Sequence, residues 1–209
     1  NKWCADTSAR TAQLILIVKH NIQVLILAAG AASRFGSAKQ LLEYHGKSML
    51  QHCIDNANVV CRDRVSVVLG ANRERIEPLI SGARIIHNND WQQGLSSSIV
   101  VGVENIDPCC DGVLILLADQ TVLTIDDFKL LLNAFDGDNT VAAYYAGRCG
   151  VPAIFPQSLL PDLAALSGDS GAKTVLQRPD INIIEIELDR AAMDIDTPED
   201  WAQFLESLH

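Results

Sequence analysis

Short aliphatic runs at residues 24–28, 65–69, 84–87 and 113–117 are separated by segments long enough to be crossover helices. The early runs show no apolar/polar alternation, the pattern of strands whose two faces are both covered by helices. That combination predicts an α/β fold: a three-layer, doubly wound, mostly parallel, Rossmann-like sheet. Further strands are expected at 141–145, 153–155 and 183–187. A closing helix is expected from Thr197-Pro198-Glu199-Asp200 to Leu208, because a capping hydroxyl, a first-turn proline and two acids suit a helix start. The stretch 147–171 is richer in Gly, Pro and Ser than its surroundings and reads as an insertion near the site.

The chain has 209 residues, 48% of them apolar, enough for one sizeable core. The expected organisation is an N-terminal extension or expression remnant over 1–21, followed by a single domain over 22–209. A formal charge of -10 provides no basic footprint for nucleic acid and favours a small-molecule partner. An acidic protein that handles a polyanion needs a few placed cations or a metal, because its overall field is repulsive. The six cysteines are scattered without CxxC spacing, and the five histidines are equally dispersed. This reads as reduced thiols in a cytoplasmic protein without a zinc site. The longest apolar run near the N-terminus, residues 14–18, is far short of a membrane span, so no membrane partner is expected.

In doubly wound sheets ligands bind beyond the carboxyl ends of strands, which directs attention to two loops. The first runs Ala28-Ala29-Gly30-Ala31-Ala32-Ser33-Arg34-Phe35-Gly36-Ser37-Ala38-Lys39. Small side chains let backbone N–H groups converge on phosphate oxygens, while an arginine fork and a lysine add charge. It is not a Walker loop, since Ser-Ala-Lys follows Gly36, and Gly30 and Gly36 are too far apart for GxGxxG. The second loop follows the run 113–117 as Ala118-Asp119-Gln120-Thr121 and puts a carboxylate where a buried strand meets the crevice. Magnesium needs only one or two carboxylates when phosphate oxygens complete its shell, so Asp119 suits it; a solvated turn aspartate is the plainer alternative.

The motif LAAG-x-x-x-R-F-G-x-x-K, residues 27–39, resembles the signature of the MobA-like nucleotidyltransferases and, within them, the molybdenum cofactor cytidylyltransferases of the MocA branch. The resemblance implies the nucleotide-diphospho-sugar transferase-like version of the fold. It also implies phosphate contacts from Arg34 and Lys39, which with Asp119 form the expected catalytic set. Leu27, Ala28, Ala29, Gly30, Gly36, Gly94 and Ser98 join these three as expected nucleotide-binding residues. The guanylyl-transferring branch usually has LAGG where this chain has Leu27-Ala28-Ala29-Gly30, which favours CTP over GTP.

Later motifs extend the resemblance. Residues 117–121 are similar to the family's LxDQP, with Thr121 in place of proline. Asp194-Ile195-Asp196-Thr197-Pro198-Glu199-Asp200 is similar to the D-x-D-T-P-x-D stretch that supplies a second magnesium ligand, here Asp196. Helix capping alone accounts equally well for Thr197 and Asp200. Residues 88–98 look like the family's N-x-x-W-x-x-G-x-x-x-S loop. Residues 147–152 and 168–173 resemble its G-R-x-G-x-P and GDxGAR motifs, implying acceptor contacts from Gly150, Pro152, Gly168, Asp169 and Gly171. Val151 stands where histidine is frequent and Lys173 where arginine is, so the acceptor is the less constrained half. Arg73 and Arg75 read as solvated charge on a surface helix.

The resemblance therefore implies a Mg2+-dependent transfer of CMP from CTP to a phosphate acceptor, molybdopterin cofactor, with release of pyrophosphate. It further implies transient contact with molybdoenzymes or their chaperones. The alternatives are a transferase using another NTP or a sugar-phosphate or phospho-alcohol acceptor, and a non-catalytic nucleotide- or molybdopterin-binding chaperone.

Overall fold

The computed structural model describes residues 19–31, 35, 38–120, 122–169, 171–195 and 197–207. Most of the 1–21 extension therefore lies outside the described residues. Strand β1 (Ile22–Leu27) is flanked by β4 (Val65–Leu69) and β6 (Gly112–Leu117), and the larger sheet has the order β5-β4-β1-β6-β8-β7-β9. The others in it are β5 (Arg84–His87), β7 (Thr140–Tyr145), β8 (Arg148–Pro156) and β9 (Ile183–Glu187). Strands β2 (Glu43–Tyr44) and β3 (Lys47–Ser48) form a separate hairpin. In the seven-stranded sheet every pairing is parallel except the two made by β8.

Apolar clusters cover both faces. One contains Leu50, Ile54 and Ala57 of α1 (Met49–Val60) together with Phe128 and Leu131 of α4 (Ile125–Ala134). The other contains Ile99 and Val103 of α3 (Leu95–Glu104), Leu163 of α5 (Leu160–Ala164), and Val175 and Leu176 of α6 (Lys173–Leu176). The expected three-layer, mostly parallel sheet is thus the observed one. Ladder burial explains the missing alternation: all five residues of β4 are buried.

The stretch 147–171 is not an insertion. It supplies β8, an interior strand, and α5. Its glycine-rich start is turn chemistry: Ala146 and Gly147 have φ of 49° and 75°, the two-residue primed hairpin turn that matches strand twist. Because β8 runs antiparallel to β6, its beginning, Arg148–Val151, lies at the sheet edge where β1 and β6 end. Arg73 of the short helix α2 (Arg73–Ile76) bonds Asn89 Oδ1 at 2.7 Å, whereas Arg75 is exposed.

A smaller apolar cluster ties the C-terminus to the first loop. Ile195 and Phe204, the latter on α7 (Pro198–Ser207), pack with Met49, Phe35, Tyr44 and Trp201. The α7 start is a reciprocal cap, in which the Thr197 N–H donates to Asp200 Oδ2 and the Asp200 N–H to Thr197 Oγ1.

Candidate active site

A cleft of about 480 Å³ opens at the carboxyl edge of β1 and β6, a size suited to a small ligand. Leu27, Ala28, Ala29, Gly30, Lys39, Gly94, Ser98 and Asp119 all line it. The sheet explains the convergence. Ala28 N–H donates to Val68 O and Ala118 N–H to Leu27 O, so pairing continues one residue past each strand and carries Gly30 and Asp119 to the rim together. Arg34 and Gly36 lie outside the described residues, as does Asp196.

Lys39 opens a single 3-10 turn, and its Nζ donates to Asp119 Oδ2 at 2.8 Å and to Ile195 O at 2.9 Å. Three segments distant in sequence therefore meet on one ammonium. The second oxygen of that carboxylate, Asp119 Oδ1, is buried with no hydrogen-bond partner among the described residues. A part-buried carboxylate on the wall of this cleft, with one oxygen on Lys39 and the other unpartnered among the described residues, is a donor that magnesium accepts. No cluster of three or more His, Cys, Asp or Glu side chains able to hold a metal occurs among the described residues. The Asp194 side chain is exposed, and the peptide after it, at Ile195, reaches Lys39.

The far wall is the start of α3. Asn88 is buried and its Nδ2 donates to the hydroxyls of Ser97 and Ser98, at 2.9 and 3.0 Å, holding both serines in place. The Ser97 hydroxyl in turn donates to Gly94 O at 2.8 Å, which leaves the Ser98 hydroxyl proton for a ligand. Gly70 is required for close approach: a Cβ there would stand 2.6 Å from Trp91 Cβ and 2.9 Å from Ala29 Cβ. Gly94, with φ of 102°, would place a Cβ 2.0 Å from Asp169 Oδ1.

A second, mostly apolar arm of about 120 Å³ shares Leu27, Leu95 and Leu117 with the main cleft. Gly150 and Val151 line it, with Arg148 and Lys173 also on its wall. Pro152 is buried behind a cis Val151–Pro152 peptide. Gly168 and Asp169 are exposed and line neither cavity. Their segment instead grips α3, where Ser96 N–H donates to Gly168 O and Gly171 N–H to the buried Ser96 Oγ. The five residues of the two acceptor motifs therefore separate: Gly150 borders the arm, and Gly168 to Gly171 position the helix beside it.

Three residues at this edge escaped the sequence reading. Gln120 is buried; its Nε2 donates to Val151 O and Ala191 O, fastening the β6 end to β8 and to the segment before Ile195. Tyr145 donates to Val151 O at 3.0 Å; burial, then the Asp194 and Asp119 charges, raise its pKa and keep it a neutral donor. Gln40 lines the cleft beside Lys39, and its Nε2 donates to Ala28 O and Gly30 O while Oε1 is buried without a partner among the described residues. An acceptor so stranded costs about 1–3 kcal/mol. For Gln120 the available signal was its place in the LxDQP-like stretch, and for Gln40 its place directly after Lys39; Tyr145 carried none.

Cysteines near the site are not thiolates. Burial, then the Asp119 charge, pushes Cys53 up to about 12. Burial, then the hydrogen bond to Glu185, pushes Cys149 to about 11. Both shifts favour the neutral thiol over the nucleophilic thiolate at neutral pH.

A sequence profile of the MobA-like NTP transferase domain matches residues 24–183. The chain is 30% identical over 198 residues to a nicotine blue oxidoreductase of Paenarthrobacter nicotinovorans, covering 87% of this chain and 95% of that protein. It is 28% identical over 183 residues to the molybdenum cofactor cytidylyltransferase of Escherichia coli, covering 86% and 93%. The crystal structure of a homologue of Mycobacterium tuberculosis Rv0371c, from Mycobacterium sp. strain JC1, superposes with a TM-score of 0.80 at 27% identity, covering 90% of this chain and 96% of that one. With the cleft, the Lys39–Asp119 pair and a matching profile over most of its length, the chain belongs to the MobA-like NTP transferase domain family, a family of nucleotidyltransferases.

Proposed function

We propose that the protein transfers CMP from CTP to a phosphate-bearing acceptor of the molybdopterin type, releasing pyrophosphate. The observation that carries this reading is the Lys39–Asp119 pair, closed at 2.8 Å on the wall of the cleft, with Asp119 Oδ1 unsatisfied among the described residues. Cation, carboxylate and backbone donors meet where a triphosphate fits. The 28%-identical cytidylyltransferase and the Ala28-Ala29 pair favour cytidine and this acceptor.

Lys39 first serves as the counterion of Asp119, then swings its ammonium to the triphosphate, where charge develops on the leaving pyrophosphate. Arg34 is the partner cation from the same loop. The α3 start adds the Ser98 hydroxyl. Asp119, freed of Lys39, and Asp196 would hold magnesium, which when bound supplies Lewis-acid polarisation of the α-phosphate. The apolar arm beside Gly150 and Val151 takes the acceptor ring, with its phosphate directed into the main cleft for in-line attack. A protein of this kind works in the cytoplasm, with molybdoenzymes or their chaperones receiving the product.

The test is incubation with each of the four triphosphates, magnesium and molybdenum-loaded molybdopterin, following pyrophosphate and product mass. CTP-specific pyrophosphate release with a cytosine dinucleotide product is expected. The 30%-identical oxidoreductase motivates a parallel assay of dye reduction by a nicotinamide coenzyme. Dye reduction without pyrophosphate release would overturn the proposal.

A further inference from the structure

Gln40 occupies a position that an apolar side chain would fill at lower cost. It is 4% exposed, it follows the lysine that pairs with Asp119, and its Oε1 is a buried acceptor that no described residue satisfies. Its orientation is nonetheless determined, because both neighbouring groups, Ala28 O and Gly30 O, are acceptors and only the NH2 end can face them. One amide thus bridges two carbonyls of the turn at which β1 becomes the phosphate loop, at 3.3 and 3.0 Å. Neither carbonyl accepts a backbone N–H among the described residues. Ala29 O, between them, points the other way and accepts from Ala71 N–H at 2.9 Å.

We propose that Gln40 is a positioning residue of the nucleotide site. By holding the carbonyls of Ala28 and Gly30 on the Lys39 side of the turn, it fixes the peptide planes at the mouth of the phosphate loop and leaves their N–H groups to the ligand. An unpartnered Oε1 is tolerated because only an amide offers two donors at this place. The inference rests on the triphosphate reading above and names what sets loop geometry in that site. A residue serving packing alone would show the opposite balance, stabilising the fold and leaving binding untouched.

Gln40→Met keeps the volume and removes the amide; Gln40→Asn keeps the amide on a stem too short to span both carbonyls. Binding of CTP with magnesium is to be measured by calorimetry for the wild type and both variants, alongside melting temperature. Both variants should bind CTP about five- to tenfold more weakly, the worth of roughly one hydrogen bond. The melting temperature of Gln40→Met should stay within about 3 °C of wild type, since Met also removes the stranded oxygen. Wild-type CTP affinity in Gln40→Met, or failure of both variants to fold, would overturn the inference and make Gln40 a core residue. A wild-type protein that binds none of the four triphosphates would instead overturn the triphosphate reading, and this inference with it.

Discussion

The parallel and antiparallel parts of the sheet present the same edge in opposite ways. Strands β1 and β6 end at the cleft, so Gly30 and Asp119 leave the sheet into it; β8 begins there, so Gly150 and Val151 enter the sheet from it. The first arrangement gathers charge, Lys39 on Asp119 with Ile195 O behind. The second gathers apolar wall, with Arg148 and Lys173 exposed at its border. On the proposed reading, the charge assigned to the phosphates waits in an ion pair at the cleft, and the charge assigned to the acceptor lies in solvent. Substitutions on the two sides should therefore differ by orders of magnitude.

The largest effect is expected from Asp119→Asn, which should lower turnover on the order of a thousandfold or more, as for loss of a principal electrostatic group. Asp196→Asn should do nearly the same, and the double variant should be scarcely worse, because two ligands of one ion act as a unit. Single-turnover rates with circular dichroism as a folding check provide the measurement. Strict additivity would separate the two aspartates and assign Asp196 to the α7 cap region.

Lys39→Ala should cost about 2–4 kcal/mol in kcat/KM. It should also tighten Mn2+ binding in the absence of nucleotide, because the ammonium that occupies Asp119 Oδ2 is gone. A loss of activity with unchanged metal affinity would show that Lys39 and the metal do not compete for this carboxylate. Next in size, CTP should be preferred over GTP by at least about tenfold in kcat/KM, the range a pocket of small residues can enforce. Equal rates would break the cytidine assignment and leave the transferase reading standing.

The same contrast explains what the sequence disclosed. Runs such as 65–69, buried on every residue, have one structural solution, and the loop 28–39 carries its chemistry in contiguous residues. The 153–155 part of β8 was legible, but its start was read as insertion because Gly147 and Gly150 belong to a hairpin turn and the strand it opens, chemistry that composition alone assigns to loops. Gln120 and Tyr145 were illegible for a different reason. Gln120 acts on Ala191, 71 residues away, and both act on Val151 O, so their roles exist only once the strands are paired. Lys39 and Asp119 were legible by type; their direct contact, 80 residues apart, was not.

The smallest effect is expected at the border of the apolar arm. Lys173 and Arg148 are exposed, so water and salt screen them, and removing either should change acceptor binding by only about 0.5–1 kcal/mol, a factor of roughly two to five. The KM for the acceptor should rise in Lys173→Ala and Arg148→Ala while the KM for CTP stays constant, and the difference should shrink as ionic strength increases. That salt dependence separates a steering charge from a buried contact, whose contribution salt would scarcely alter. If Lys173→Ala raised the KM for CTP as much as that for the acceptor, the two cavities would be one site energetically. The shared wall of Leu27, Leu95 and Leu117 would then couple them instead of dividing them.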